Sequence, residues 1–245
     1  MNTLSIVIPA LNEAENLPAV MASIPFQHLK EEGWETEVVV VDNGSTDGTG
    51  ELARTLGARV VHQPARGYGN AYRAGFDAAT GEVIATGDAD RTYPFDALPH
   101  LLRTLLDHDV EFMTTDRLGR ANSAAMKPSH TLANRVLSAI SRVLFRNDLR
   151  DSQSGMWVFR RYVWSRLDVR STGMSFSQEI KNAATRAGYR YLELPIEYRK
   201  RGGEVKLNAF RDGTQNLRQL FEHNFRKSRP VLHRAMTGSP EYDNA

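Results

Sequence analysis

The chain has no cysteine at all, which excludes disulfides, thiolate nucleophiles and cysteine-ligated zinc and fits a reducing compartment. It also lacks any run approaching the roughly 20 consecutive apolar residues that a membrane-spanning helix requires. Met1-Asn2-Thr3-Leu4 leads straight into a strand pattern, without the charged start and apolar core of a secretory leader. These absences point to the cytosol, with a peripheral seat on the cytoplasmic membrane face left open. No internal repeat or low-complexity tract is present. His28, His62, His100, His108, His130, His223 and His233 show no metal-ligand spacing.

With 245 residues, 41% of them hydrophobic, the chain can bury a substantial core. A single domain is expected over 1–226. Beyond it, residues 227–245 lose periodicity among Pro230, Gly238, Pro240 and Asn244 and read as a flexible tail. The formal charge of +2 conceals an uneven layout. Residues 117–150 carry seven Lys or Arg against one acid, Asp148, and residues 197–234 carry ten against four. A basic second half suits phosphates or anionic lipid headgroups. No recognised nucleic-acid module accompanies it, so a nucleic acid is not an expected partner.

The first half alternates short apolar runs with helical stretches. Strands are expected at Leu4–Ile8, Glu37–Val41, Arg59–Val61, 83–87 and 111–115. Helices are expected from Asn12 as a cap, over about 47–56, from Gly67 to Asp77, and from Asp96 to Leu106. Such alternation argues for an α/β fold whose mostly parallel central sheet carries helices on both faces. Ligands bind such sheets beyond the carboxyl ends of the strands. Three polar clusters fall there: Pro9 to Glu13, Asp42 to Asp47, and Asp88-Ala89-Asp90 directly behind the run Val83-Ile84-Ala85-Thr86-Gly87. Two carboxylates one residue apart at a strand end can hold a divalent cation, and the cation can hold a diphosphate. The second half is less regular. Amphipathic basic helices are expected at about 132–146 and 213–226, a further helix at 178–187, and strands at 191–194 and 196–198.

Val7-Ile8-Pro9-Ala10-Leu11-Asn12-Glu13, Val41-Asp42-Asn43-Gly44-Ser45-Thr46-Asp47-Gly48-Thr49 and Asp88-Ala89-Asp90 stand in an order and spacing that resembles family 2 glycosyltransferases. Within that family the chain looks like the dolichol-phosphate mannosyltransferase and polyprenyl-phosphate hexosyltransferase branch. Gly67-Tyr68-Gly69-Asn70-Ala71, Asp151-Ser152-Gln153-Ser154-Gly155-Met156 and Arg201-Gly202-Gly203-Glu204-Val205-Lys206-Leu207 are similar to further motifs of that branch. The likeness covers about residues 4–226. It departs from the pattern at Ser129-His130-Thr131 after Pro128, at Val205 and at Arg91.

The resemblance implies a GT-A type, Rossmann-like nucleotide-binding fold. Residues 1–116 would form its nucleotide-sugar half and 117–226 its acceptor half. It implies a GDP- or UDP-sugar donor, such as GDP-mannose or UDP-glucose. Pro9, Asn12, Glu13 and Asp42 would face the donor, with Arg66 and Gly69 covering the diphosphate. Asp88 and Asp90 would hold Mg²⁺ or Mn²⁺. A polyprenyl phosphate acceptor is already anionic and needs cations rather than a base. Arg117, Arg199, Arg201 and Lys206 are suited to hold it, and Arg120 and Lys127 lie on a loop able to close over the donor. Asp90, Arg117 and Arg201 would sit nearest the reacting atoms. A hydroxyl acceptor would instead call on Glu179 or Asp151 as base, and a non-catalytic nucleotide-sugar-binding subunit is a further alternative. With a lipid acceptor, the two basic helices would rest on the bilayer or on a membrane partner protein, and an oligomer is allowed.

Overall fold

The computed structural model describes residues 1–119, 122, 124–202 and 209–226. Arg120 and Lys206, both expected on the acceptor side, and the expected tail 227–245 lie outside the described residues. In chain order the elements are β1 (Asn2–Ala10), α1 (Leu17–Ala22), α2 (Phe26–Glu31), β2 (Trp34–Asp42), α3 (Thr49–Thr55), β3 (Arg59–His62), α4 (Tyr68–Ala78) and β4 (Val83–Thr86). There follow α5 (Leu98–Asp107), β5 (Phe112–Asp116), α6 (Pro128–Phe145), β6 (Trp157–Arg160), α7 (Arg161–Trp164), α8 (Phe176–Arg186), β7 (Tyr191–Pro195) and α9 (Ala209–Phe225).

The strands form one sheet in the order β3-β2-β1-β4-β6-β5-β7. All pairings are parallel except those of β6, which runs antiparallel to both β4 and β5. Strands sandwiched between two helical layers need apolar residues on both faces, which is why β1 and β2 read as unbroken runs. Ile6, Ile8, Val38, Val40 and Ala85 pack with Leu17, Val20, Leu98 and Leu102 of α1 and α5. Their neighbours in sequence, Val7, Val39, Val41 and Ile84, pack on the opposite face with Tyr72, Phe76, Phe176 and Ile180 of α4 and α8.

Several expectations change. No helix starts at Asn12, which adopts φ 53°. Its amide instead donates to Ser45 Oγ at 3.0 Å while its Oδ1 accepts from Thr46 N at 2.8 Å, locking the end of β1 to the loop after β2. The helix begins five residues later, at Leu17. Residues 196–198 are not a strand, and β6, formed from the apolar run at 157–160, was not expected.

Helices α6 and α9 are turned inside out. Both pack on α8, yet much of the seam is polar. It buries Ser138 and Ser141 of α6 and Asn216, Gln219 and His223 of α9. Gln178 of α8 donates to Gln219 Oε1 at 2.7 Å and Ser141 donates to Asn182 Oδ1 at 2.8 Å. Leu137 and Leu220 do point inward, but Leu132, Val136 and Val143 on α6 and Leu217, Phe221 and Phe225 on α9 are exposed. Among the described residues, no helix is long and apolar enough to cross a membrane.

Glu37 staples four segments below the site. It accepts from Ser5 Oγ of β1 at 2.5 Å, from Thr80 N and Oγ1 at 2.8 and 2.7 Å, and from Arg59 of β3 at 2.9 Å. Burial opposes its ionisation, but these donors outweigh burial and pull the carboxyl from 4.5 down to about 2. A depressed carboxylate stabilises the fold fully above its unfolded value and loses that contribution as pH falls towards the folded one. Glu37→Gln is therefore expected to cost roughly 1–2 kcal/mol at neutral pH after allowance for partial exposure. Urea unfolding should show the gap between parent and variant holding above pH 4.5 and closing towards pH 2.

Candidate active site

The carboxyl ends of β1, β2, β4 and β5 share one edge of the sheet. Because β6 runs the other way, its amino end and the turn before it arrive there too. Pairing between β1 and β4 stops at Val7↔Thr86, and the chain returns to the sheet on opposite flanks after these two strands, as β2 and as β5, which places the topological switch point between them. A cavity of about 210 Å³ occupies that place, lined by Pro9, Leu11, Glu13, Asn43, Tyr68, Asp88, Asp90, Met174 and Arg201, among others.

Three of its walls are acidic. Asp90 is buried. Its Oδ1 accepts from Thr92 N and Oγ1 at 3.1 and 2.6 Å, and its Oδ2 meets Arg201 Nη1 at 3.0 Å. Glu13 accepts from Asn16 Nδ2 at 2.8 Å and lies 3.6 Å from Arg201 Nη2. The Asp88 carboxyl takes hydrogen bonds from Tyr68 and Tyr72. Burial, and then the charge of Asp90, push Asp88 from 3.8 up to about 7. The same burial raises both phenols well above 10, so they remain donors.

Two neighbouring carboxyls that line one cavity form an all-oxygen donor set suited to a hard divalent cation. No group of three or more potential ligands occurs among the described residues. Asp88 and Asp90 would thus supply two ligands, and substrate oxygens and water would complete the shell. The residues present fit the implied ion.

Other donor-side residues stand further back. Asp42 is buried, with Oδ1 accepting from Ser45 N at 2.9 Å and Oδ2 lying 3.5 Å from His62 Nδ1. Arg66 is exposed and reaches the Gly44 carbonyl at 3.3 Å. The glycines of Gly67-Tyr68-Gly69 do not offer their amides to the cavity in this structure. Gly67 N donates to Asn43 Oδ1 at 2.8 Å and Gly69 N to the Thr172 carbonyl at 2.9 Å. A Cβ on Gly69 would run into the Ser171 carbonyl oxygen, so glycine is required by the protein's own strap at 171–172. Asn43, which carried no expected role, secures this corner by also donating to the Gln63 and Ala65 carbonyls at 2.8 and 2.9 Å.

Of the residues expected to hold the acceptor, Arg117 is buried in a bidentate pair with Asp151, Nε to Oδ2 at 2.7 Å and Nη2 to Oδ1 at 3.0 Å. Its Nη1 meets Tyr93 OH at 3.3 Å and its guanidinium lies over the Tyr198 ring at 5.2 Å. The Arg117 charge, together with bonds from it, more than offsets burial and holds Asp151 below the ordinary carboxylate range. Buried Lys181 adds to the turn, donating to the carbonyls of Asp151 and Ser154 at 2.7 and 2.9 Å. Asp151 is therefore no candidate base. Neither is Glu179, which is buried, accepts from Ser171 N at 2.7 Å and pairs with Arg226 at 2.6 Å.

Arg201 belongs to a strap, 198–202, laid along 90–92 through Arg199 N to the Thr92 carbonyl and Gly202 N to the Asp90 carbonyl, both 2.9 Å. Arg199 itself turns outward to Asp96 at 2.9 Å and does not line the cavity. Lys127 is exposed at the start of α6. A second cavity of about 450 Å³ lies beyond Arg117, lined by Arg117, Leu118, Asn122, Met126, Leu132 and Arg135, among others.

The sheet order and the paired acids at the carboxyl end of β4 describe a mixed α/β fold with a candidate site at its strand ends. The chain belongs to glycosyl transferase family 2, whose family model matches residues 5–167. It is 37% identical over 222 residues to the low-salt glycan biosynthesis hexosyltransferase Agl6 of Haloferax volcanii, matching 88% of this chain and 52% of that protein. The chain thus spans about half the length of that relative. It is 33% identical over 211 residues to the dolichyl-phosphate hexose transferase of the same organism, matching 86% and 89% of the two chains. In three dimensions it is similar to glucosyl-3-phosphoglycerate synthase from Mycobacterium tuberculosis in complex with Mn²⁺, UDP and phosphoglyceric acid. That match has a TM-score of 0.70 at 23% identity, covers 93% and 80% of the two chains, and shows a shared GT-A type fold.

Removing one partner of a buried ion pair strands the other charge, which costs about 3–5 kcal/mol. Arg117→Ala should lower unfolding free energy by about that amount. Arg199→Ala, which breaks an exposed pair, should cost at most about 1 kcal/mol in the same denaturant titration.

Proposed function

We propose that this glycosyltransferase moves a hexose from a nucleotide diphosphate sugar to the phosphate of a polyprenyl phosphate, with inversion. The observation that carries the reading is the state of the base candidates. Asp151 and Glu179 are both sealed in ion pairs away from the cavity, which suits an acceptor that arrives already deprotonated. UDP-glucose and GDP-mannose are the donors to test first. The dolichyl-phosphate relative and the UDP-bound structural neighbour support this choice of substrate classes.

In this reading the donor lies in the 210 Å³ cavity, with its nucleoside towards Pro9, Asn12, Glu13 and Asp42 and its diphosphate towards Asp88 and Asp90. That acidic pair would hold Mg²⁺ or Mn²⁺, which would supply the charge that neutralises a leaving diphosphate. Arg117, expected to hold the acceptor phosphate, is already neutralised by Asp151. The lipid phosphate enters from the cavity beyond Arg117, where Arg135 furnishes positive charge beside apolar Leu118, Met126 and Leu132. Its oxygen attacks the anomeric carbon as the bond from that carbon to the diphosphate oxygen breaks, releasing the nucleoside diphosphate. Arg201, now on Asp90, would be free to turn to the incoming phosphate if Asp90 held a cation instead. The outward apolar rows of α6 and α9, interspersed with Arg135, Arg142 and Arg218, suit the interface of an anionic bilayer.

Purified protein with Mn²⁺ should release nucleoside diphosphate from one of these donors only when a short polyprenyl phosphate is added. Transfer to a hydroxyl compound such as phosphoglycerate, and not to the lipid phosphate, would overturn the acceptor assignment. Asp90→Ala should reduce kcat on the order of 100-fold or more in a variant that still folds. For the membrane seat, Leu132→Ser with Phe221→Ser should weaken co-sedimentation with anionic phosphatidylglycerol vesicles about tenfold or more. Unchanged sedimentation would remove these helices from the interface.

A further inference from the structure

Asp88 lies two residues beyond β4, on a loop that by itself leaves its carboxylate free to rotate. Helix α4 restrains it. Tyr68 OH donates to Asp88 Oδ1 at 3.1 Å and Tyr72 OH lies 3.3 Å from the same oxygen. Both rings are anchored: they meet edge to face at 4.8 Å, and Tyr72 packs against Trp157 at 4.9 Å. The Tyr72 hydroxyl is also 3.3 Å from the Gly155 carbonyl, so its one proton is shared between two acceptors. Gly155 makes room for the other phenol, since a Cβ there would run into the Tyr68 hydroxyl. With Oδ1 engaged, Oδ2 is the oxygen left for a ligand in the cavity that Asp88 lines.

We infer that Tyr68, assisted by Tyr72, is a positioning residue for the metal-binding carboxylate Asp88, fixing which of its oxygens meets the cation. The inference rests on the reading of Asp88 as a cation ligand. Hydrogen bonds behind a metal ligand commonly govern affinity by about 10–100-fold. The alternative is that the phenols only fill space, which phenylalanine would do equally well.

Mn²⁺ titration followed by electron paramagnetic resonance, with saturating UDP, separates the two. Tyr68→Phe should bind Mn²⁺ about tenfold more weakly, with UDP affinity in the absence of metal and the thermal midpoint unchanged. Tyr72→Phe should show the smaller loss, because its proton is shared; should either variant fail to fold, the other still decides. Parent-like Mn²⁺ affinity in the folded tyrosine variants overturns the positioning role, as does an equal loss of metal-free UDP binding. Asp88→Asn distinguishes the failures. If it too binds Mn²⁺ as the parent does, the ligand reading falls and the inference with it. If it loses Mn²⁺ while the tyrosine variants do not, only the positioning role falls.

Discussion

The buried pair between Arg117 and Asp151 is the constraint on which both halves of the site depend. Arg117 follows β5 and Asp151 precedes β6, so their two hydrogen bonds tie the end of one strand to the turn leading into its neighbour. Desolvating two charges is costly, and the cost is met here by satisfying nearly every remaining donor: Tyr93 takes Nη1, and the Arg117 and Gln153 amides donate to the carboxylate at 3.1 and 3.0 Å. Lys181 then fixes the turn through its carbonyls. Gly155, at the end of that turn, accepts from Thr86 Oγ1 at 2.8 Å and receives Tyr72. The network therefore runs without a break from the Arg117 pair to Asp88 in the 210 Å³ cavity.

Charge balance in that cavity explains the position of Arg201. Glu13, Asp88 and Asp90 crowd a small volume, and the Arg201 guanidinium sits between Asp90 and Glu13. In the proposed reading a nucleoside diphosphate would bring further negative charge, and a cation held by Asp88 and Asp90 would share Asp90 with Arg201. Donor binding and the freeing of an arginine would then be linked through one carboxylate.

Much of the donor half was legible in the sequence, for a plain reason. Strands buried on both faces read as continuous apolar runs, and the polar residues at their carboxyl ends then stand out, as Asp42, Asp88 and Asp90 do. What escaped reading depends on docking between distant segments. Asn43, Tyr68 and Tyr72 have the sequence character of turn and core residues; their roles come from where α4 and the 63–67 loop settle. Strand β6 was missed because four residues are too few to show a period and their direction is set by partners on either side. In the sequence Arg117 has the character of an acceptor cation and Asp151 that of a base. Only the fold reveals that they hold each other.

The antiparallel course of β6 has a further consequence. A segment that leaves a parallel sheet ordinarily has to cross it before returning, which ties its length to a helix of fixed span. Here the chain departs from the end of β5 and re-enters at the start of β6, both on the same rim. The intervening stretch, including α6, is thus a closed excursion whose two feet stand side by side and are clamped by one ion pair. Lengthening, shortening or rewriting it disturbs no strand register. The sheet edge that carries Asp88 and Asp90 can stay as it is while the excursion between the two feet is rebuilt.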